Sequence, residues 1–326
     1  MRHTARMPAE HRSPRRGYIL AVAAATMWAV NASLARLLLD DGVSALRLAQ
    51  LRSLLSWAIL VAVLAVWRPQ LLRVERAELP RLAFLGICGL ALVHATYFYA
   101  IEHLQIGAAL TIEYLAPLLV LLWLRVAHKR ELSRSLWGAA ALALAGCFMV
   151  VRAYRTGSLD GLGIAAAFGA AVTFAISIVG SERSGRRNQP VTTLVWAFGF
   201  ASLFWAVAQP LWDFPTHHFD SLENVALGLA VAVVGTLLPF VCIVAAVRHI
   251  PASRAAIVAT LEPVLAAAVA WVVLGESLAA VQIAGGLLVV AAVVWVQTQT
   301  LSFDAEAAPA PRALGVPAPP DARARA

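Results

Sequence analysis

Charge is what this chain has least of. Asp, Glu, Lys and Arg make up 13% of its 326 residues and hydrophobic residues 61%, at a mean hydropathy of +0.76. A soluble domain carries about 25% charged residues, so the shortage excludes a water-soluble globular class and points to a lipid bilayer. Cysteine is scarce too. Cys88, Cys147 and Cys242 all lie inside apolar runs, which leaves neither a disulfide framework nor zinc-ligand spacing. Phosphate-cradling glycine loops, HExxH and GxSxG are missing, so no cofactor is expected and the familiar hydrolase chemistries lose their signatures. The net charge of +8 does not predict nucleic-acid binding. Its basic residues sit in short links and at the termini, the pattern that orients membrane proteins.

What is present is a series of ten apolar segments, near 17–38, 45–67, 80–100, 108–126, 135–151, 162–181, 190–209, 225–247, 253–273 and 279–298. Each is about long enough to cross a bilayer. Residues 1–16 read as a basic cytoplasmic arm, and the run after them as a signal anchor retained as the first helix. After Thr300 the Ala/Pro/Arg composition cannot bury an apolar face, so 299–326 is expected to be a disordered tail. Of the 26 Lys and Arg residues, only Arg36, Arg47, Arg152 and Arg155 fall on the side opposite the N-terminus, while Arg52 lies inside the second segment. Both termini are therefore expected in the cytoplasm, in an inner-membrane protein. The outer loop holds His217-His218 with Asp213 and Asp220. Adjacent histidines do not readily share one ion, so this is read as solvated loop and no metal is expected.

The chain also repeats itself at an offset of about 146 residues. Gly17 maps onto Gly163, Trp28-Ala29-Val30 onto Phe174-Ala175-Ile176, Gly89 onto Gly235, His103-Leu104 onto His249-Ile250, and Leu115-Ala116-Pro117 onto Leu261-Glu262-Pro263. Five segments per repeat is an odd number, so the halves must be inverted relative to each other. The fold class expected is an all-α membrane protein of ten transmembrane helices in two inverted five-helix repeats, 17–152 and 161–298. Such repeats place a site near the bilayer midplane.

Glu262-Pro263 stands in the middle of an apolar run. A charged carboxylate at that depth costs on the order of 2.5–3.5 kcal/mol or more, so it must face protein or water. Pro263 lacks an N–H, which frees the carbonyl four residues earlier. In the first repeat Glu113 lies one turn before Pro117, with the same consequence for its own carbonyl. A side-chain and a backbone oxygen on a broken helix together suit an ammonium group or a proton. Pro239 is a third helix-breaking position.

Leu261-Glu262-Pro263-Val264, Leu274-Gly275-Glu276 and Gly285-Gly286 resemble the end of an EamA-type domain of the drug/metabolite transporter superfamily. Gly17 through Trp28-Ala29-Val30-Asn31 resembles its opening, and Arg52 matches a common arginine of the first copy. The resemblance covers about residues 17–298, twice over. Thr111-Ile112-Glu113-Tyr114-Leu115-Ala116-Pro117 and Leu238-Pro239 are similar to the branch of threonine/homoserine and other amino-acid exporters. It implies a secondary transporter with a central cavity bounded mainly by helices 1, 3, 4, 6, 8 and 9. Two departures stand out: Ala116 replaces the acid found at Glu262, and the first helix offers Asn31 and Ser33 in place of an embedded glutamate. The proton/drug exchange of small multidrug resistance proteins therefore does not carry over.

The expected substrate contacts are Glu113, Glu262, Trp28, Asn31, Tyr97, Tyr114 and Arg52. The aromatics combine ring surface with a polar tip, although membrane aromatics often only pack. Snorkelling to the interface is the competing account of Arg52, a structural acid that of Glu262, and a hydrogen-bonded core histidine that of His94. The activity expected is export of an amino acid or similar small metabolite by alternating access, with protons as the possible coupling ion. Uptake of a polar metabolite and efflux of a drug-like cation are the alternatives, and a membrane enzyme or scaffold those of another class. The partners are a small-molecule substrate and the lipid bilayer, and the oligomeric state is open.

Overall fold

Serine and proline start the helices, and apolar side chains carry them. In the computed structural model the described residues are 13–104, 106–129, 131–152, 160–185, 187–274 and 278–298. Most of the basic arm, the Gly275-Glu276-Ser277 turn and the tail after Thr298 lie outside them. The Ser13 hydroxyl accepts from the Arg16 N–H at the head of α1 (Pro14–Asp40), and Ser44 does the same at α2 (Ala45–Trp67). Each cap satisfies an N–H that has no partner within its own helix.

The chain continues through α3 (Leu79–Phe84), a π-helical stretch Leu85–Ala91, and α4 (Leu92–His103). Next come α5 (Ile106–Glu113), α6 (Ala116–His128) and α7 (Arg134–Val150). The second half runs α8 (Gly161–Gly185), α9 (Pro190–Ala208), α10 (Leu222–Ala232), a π-helical stretch Val233–Leu237, and α11 (Leu238–Ala246). It ends with α12 (Ala252–Ala259), α13 (Glu262–Leu274) and α14 (Ala280–Thr298). Among the described residues the fold is all α. Eight stretches are long and apolar enough to cross a membrane, and two shorter apolar helices are Arg134–Val150 and Ala280–Val296.

The halves correspond closely. Both interrupt a long apolar helix with a π segment and a second one with a two-residue turn, Tyr114-Leu115 in one and Thr260-Leu261 in the other. They also exchange partners reciprocally. A Cβ on Gly17 would lie 2.8 Å from Ile250 and 2.9 Å from His249, while one on Gly163 would lie 2.7 Å from Leu104 and 2.9 Å from His103. Gly89 likewise abuts Ser177, and Gly235 abuts Asn31. Reciprocal contacts of this kind are what a two-fold axis between the repeats produces. The axis passes between Trp28 and Phe174, equivalent residues that meet edge to face at 6.1 Å.

The ends of the bundle are tied by polar contacts across the two halves. At one end the Glu78 carboxylate accepts from Arg187 at 2.6 Å and from Arg81 at 2.7 Å. There Thr192 and Trp196 of α9 also donate to the Leu71 and Leu72 carbonyls. At the other end Asn224 donates to Asp41 at 2.5 Å, and the Gln50 amide and the Arg47 guanidinium donate to the Gln209 and Pro210 carbonyls.

Helices α7 and α14 cross backbone to backbone. A Cβ on Gly146 would stand 2.6 Å from the Gly285 carbonyl oxygen, and one on Gly285 would stand 2.7 Å from that of Gly146. Small residues permit this approach, which supplies close packing where lipid removes the hydrophobic drive. Gly146→Val is expected to destabilise the protein by about 1–3 kcal/mol through overpacking. Gly161→Ala, where no atom lies within 4 Å, should change stability by less than about 0.5 kcal/mol. Thermal melting of both variants in detergent micelles checks the contrast.

Candidate functional site

The break between α5 and α6 and the break between α12 and α13 bring one carboxylate from each repeat to the interior. Glu113 is the last residue of α5 and Glu262 the first of α13, and both are half-buried. Pro117 and Pro263 stand within the first turn of the helix after each break. Proline is tolerated there because the first turn's N–H groups lack partners in any case. The two carboxylates lie within electrostatic reach of each other. Arg52 lies within electrostatic reach of Glu262, and Tyr97 and Tyr114 within electrostatic reach of both acids. Among the described residues neither Glu113 nor Glu262 has a hydrogen bond or ion pair.

Arg52 is held firmly. Its Nε donates to Thr236 Oγ1 at 2.7 Å and its Nη2 to the Gly235 carbonyl at 3.1 Å. Ser56, one turn further along α2, donates to the Ala232 carbonyl at 3.1 Å. A π segment shifts the helical ladder and leaves carbonyls available, and α2 supplies donors to them. Snorkelling toward the membrane surface is therefore not what Arg52 does: it is 6% exposed and pinned to the opposite repeat.

The remaining residues sort into three places. Tyr97 is half-buried and Tyr114 buried in the turn between α5 and α6, both beside the acids. Trp28 is packed edge to face between Phe174 and Phe240, and Phe198 extends the cluster. Asn31 is buried in the notch that Gly235 leaves, and its Oδ1 has no partner among the described residues. Tyr99 is exposed and stacks on His103. A ring nitrogen of His94 bonds the Leu90 carbonyl at 2.8 Å, inside the first π segment. Pro239 is the second residue of α11, just after the second π segment.

Thr236 and the Gly235 carbonyl were not singled out from the sequence as partners of Arg52. The only signal was the register of Gly89 with Gly235, which marks both π segments. Cys147, whose Sγ lies 3.6 Å from the Thr260 carbonyl in the second break, was equally silent. His217 and His218 sit ring to ring at 4.1 Å. Among the described residues no group of three His, Cys, Asp or Glu side chains could hold a metal ion.

The EamA-like transporter family matches the chain twice, over residues 15–152 and 161–298. The threonine/homoserine exporter RhtA of Escherichia coli (strain K12) is 30% identical over 275 residues, 81% of this chain and 85% of its own. The exporter of that name from Salmonella typhimurium (strain SL1344) is 30% identical over 252 residues, 77% of this chain and 79% of its own. The pseudopaline exporter CntI of Pseudomonas aeruginosa (strain UCBPP-PA14) is 28% identical over 220 residues, 67% and 75% of the two chains. A solved crystal structure matches with a TM-score of 0.75 at 18% identity, over 90% of this chain and 100% of its own. That is a likeness of fold.

Removing the Arg52 side chain with Arg52→Met leaves Thr236 and the Gly235 carbonyl without their donor. A loss of about 1–3 kcal/mol is expected. Thr236→Val should add little once Arg52 is gone, giving a coupling energy of about 0.5–3 kcal/mol in a double-mutant cycle. Melting of the four proteins in detergent measures it, and simple additivity would show that the pair is not engaged.

Proposed function

The chain belongs to the EamA-like transporter family, and from that membership we propose that it exports amino acids or similar small metabolites as a secondary active carrier. Its relatives are transporters, and those named for a cargo are named as exporters of threonine/homoserine and of pseudopaline. In this reading the repeats span 17–152 and 161–298 and lie inverted in the cytoplasmic (inner) membrane, with both termini inside. The shorter helices α7 and α14 complete ten crossings. At 1.5 Å per residue α7 and α14 reach about 25 Å and 28 Å, enough for a thin or locally adjusted bilayer.

The observation that carries the reading is the pair of break-point carboxylates, one per repeat, within reach of each other. Two like charges held together in a low-dielectric interior favour a cation or a proton between them. An amino-acid substrate brings an ammonium group to Glu113 and Glu262. Tyr97 and Tyr114 offer hydroxyls beside the acids, and Arg52 holds positive charge on the same side of the site for a substrate carboxylate. Asn31 and the aromatic cluster around Trp28 form the adjoining wall. Both acids belong to helices whose halves can tilt about their breaks, so rocking of one repeat against the other exposes the pair alternately to each side. Protons are the coupling ion that a carboxylate pair can carry.

Cells expressing the protein are expected to hold less intracellular threonine or homoserine than cells without it. Glu113→Gln and Glu262→Gln should each cut efflux by at least about tenfold while leaving the protein in the membrane. Efflux of labelled amino acids from preloaded cells, read across external pH, checks both the cargo and the proton. If no amino acid differs between the two cell lines, uptake of a polar metabolite or efflux of a drug-like cation becomes the better reading.

A further inference from the structure

A hollow of about 1100 Å³ opens between α3 with its π segment, α6 and α8, and neither Glu113 nor Glu262 lines it. Its walls are apolar, with Phe84, Leu119, Leu122, Val126, Val172 and Val179 among them. Phe84 is 56% exposed and Val126 68%, so the hollow opens onto an exposed apolar surface. One part of its lining is different. Arg81, Arg183, Arg187, Ser184 and Glu78 are its polar members among the described residues. Glu78 accepts from Arg81 and Arg187, and the Arg183 guanidinium lies 5.7 Å from the ring centroid of Trp123. Among the described residues that line the hollow, three carry positive charge and one negative.

The repeat isolates what is special about this place. Positions equivalent to Arg81, Arg183 and Arg187 in the other half are Leu227, Leu37 and Asp41, and Glu78 corresponds to Asn224. Duplication alone therefore does not produce this cationic lining. An apolar groove beside it matches one class of molecule, a lipid whose headgroup is anionic. Basic pockets between helices at the cytoplasmic face are suited to such headgroups, and guanidinium holds a phosphate through paired, charge-assisted bonds.

We propose that the groove between α3, α6 and α8 binds an anionic phospholipid, with the acyl chain along Phe84, Leu119 and Val179 and the phosphate among Arg81, Arg183 and Arg187. The leaflet assigned, the cytoplasmic one, rests on the orientation proposed above; the binding itself does not. Glu78 ties the two repeats together through Arg187, so a phosphate competing for that guanidinium acts on the tie as well.

The test uses the full-length protein, delipidated in detergent and titrated with phosphatidylglycerol or phosphatidylcholine, with bound lipid counted by native mass spectrometry. Phosphatidylglycerol is expected to bind at least about tenfold more tightly. Arg183→Gln should reduce that preference several-fold, and Val179→Trp, which fills the groove, should reduce retention of lipid altogether. Arg125→Gln, an exposed basic residue of α6 outside the groove, should change neither. Equal affinity for the two lipids, or an equal loss from Arg125→Gln, would overturn the proposal. So would complete displacement by inorganic phosphate, which would mean a soluble-anion site, or by threonine, which would put the groove on the cargo's path. Because the readout is lipid mass and not transport, a failed export assay leaves this result intact.

Discussion

A backbone carbonyl or N–H without a partner costs on the order of several kcal/mol in hydrocarbon, so a helix within a bilayer can be interrupted only where protein or water takes over. The protein interrupts four of its long apolar stretches, and three of the interruptions are answered by side chains. Carbonyls of the second π segment and its approach accept from Arg52 and Ser56. The Leu90 carbonyl of the first π segment bonds the ring of His94. At the second break Thr260 turns its hydroxyl onto the Ile257 carbonyl, while Cys147 approaches the carbonyl of Thr260 itself. The interruptions thus fix which side chains face inward, and the polar interior follows from that constraint.

The acids stand against this background. Arg52 is close enough for its charge to act on Glu262, yet two of its donors are committed to helix backbone and a threonine. It lends positive potential to Glu262 without closing a salt bridge onto it. An arginine fixed in this way keeps its charge in place, which is a form of electrostatic preorganisation. The aromatic wall of Trp28, Phe174 and Phe240 is packed edge to face, a geometry that rings prefer and that resists rearrangement.

Much of this was legible beforehand, for identifiable reasons. Low charge and long apolar runs forced a membrane protein. The two acid-and-proline motifs marked broken helices because proline's missing N–H has only one effect in that setting. The 146-residue offset located the axis, since it aligned Trp28 with Phe174 and Gly17 with Gly163. The π segments were not legible: they contain no proline, and Gly89 and Gly235 read equally well as ordinary packing glycines. Nor did the sequence distinguish an arginine reaching for solvent from one reaching for a carbonyl on another helix. That choice is made by tertiary contact, where a freed acceptor happens to stand within the guanidinium's span.

The meeting of Trp28 with Phe174 sets a different rule for divergence between the two halves. Contacts off the axis, such as Gly17 with His249 and Gly163 with His103, occur in two copies that can drift independently, each tolerating change while its counterpart stays intact. A contact on the axis exists once, between two descendants of one ancestral position. Were both tryptophan, two bulky indoles would confront each other at the seam. A large ring on one side and a smaller ring on the other fills such a seam without symmetry, so a change on either side there is felt by both halves at once.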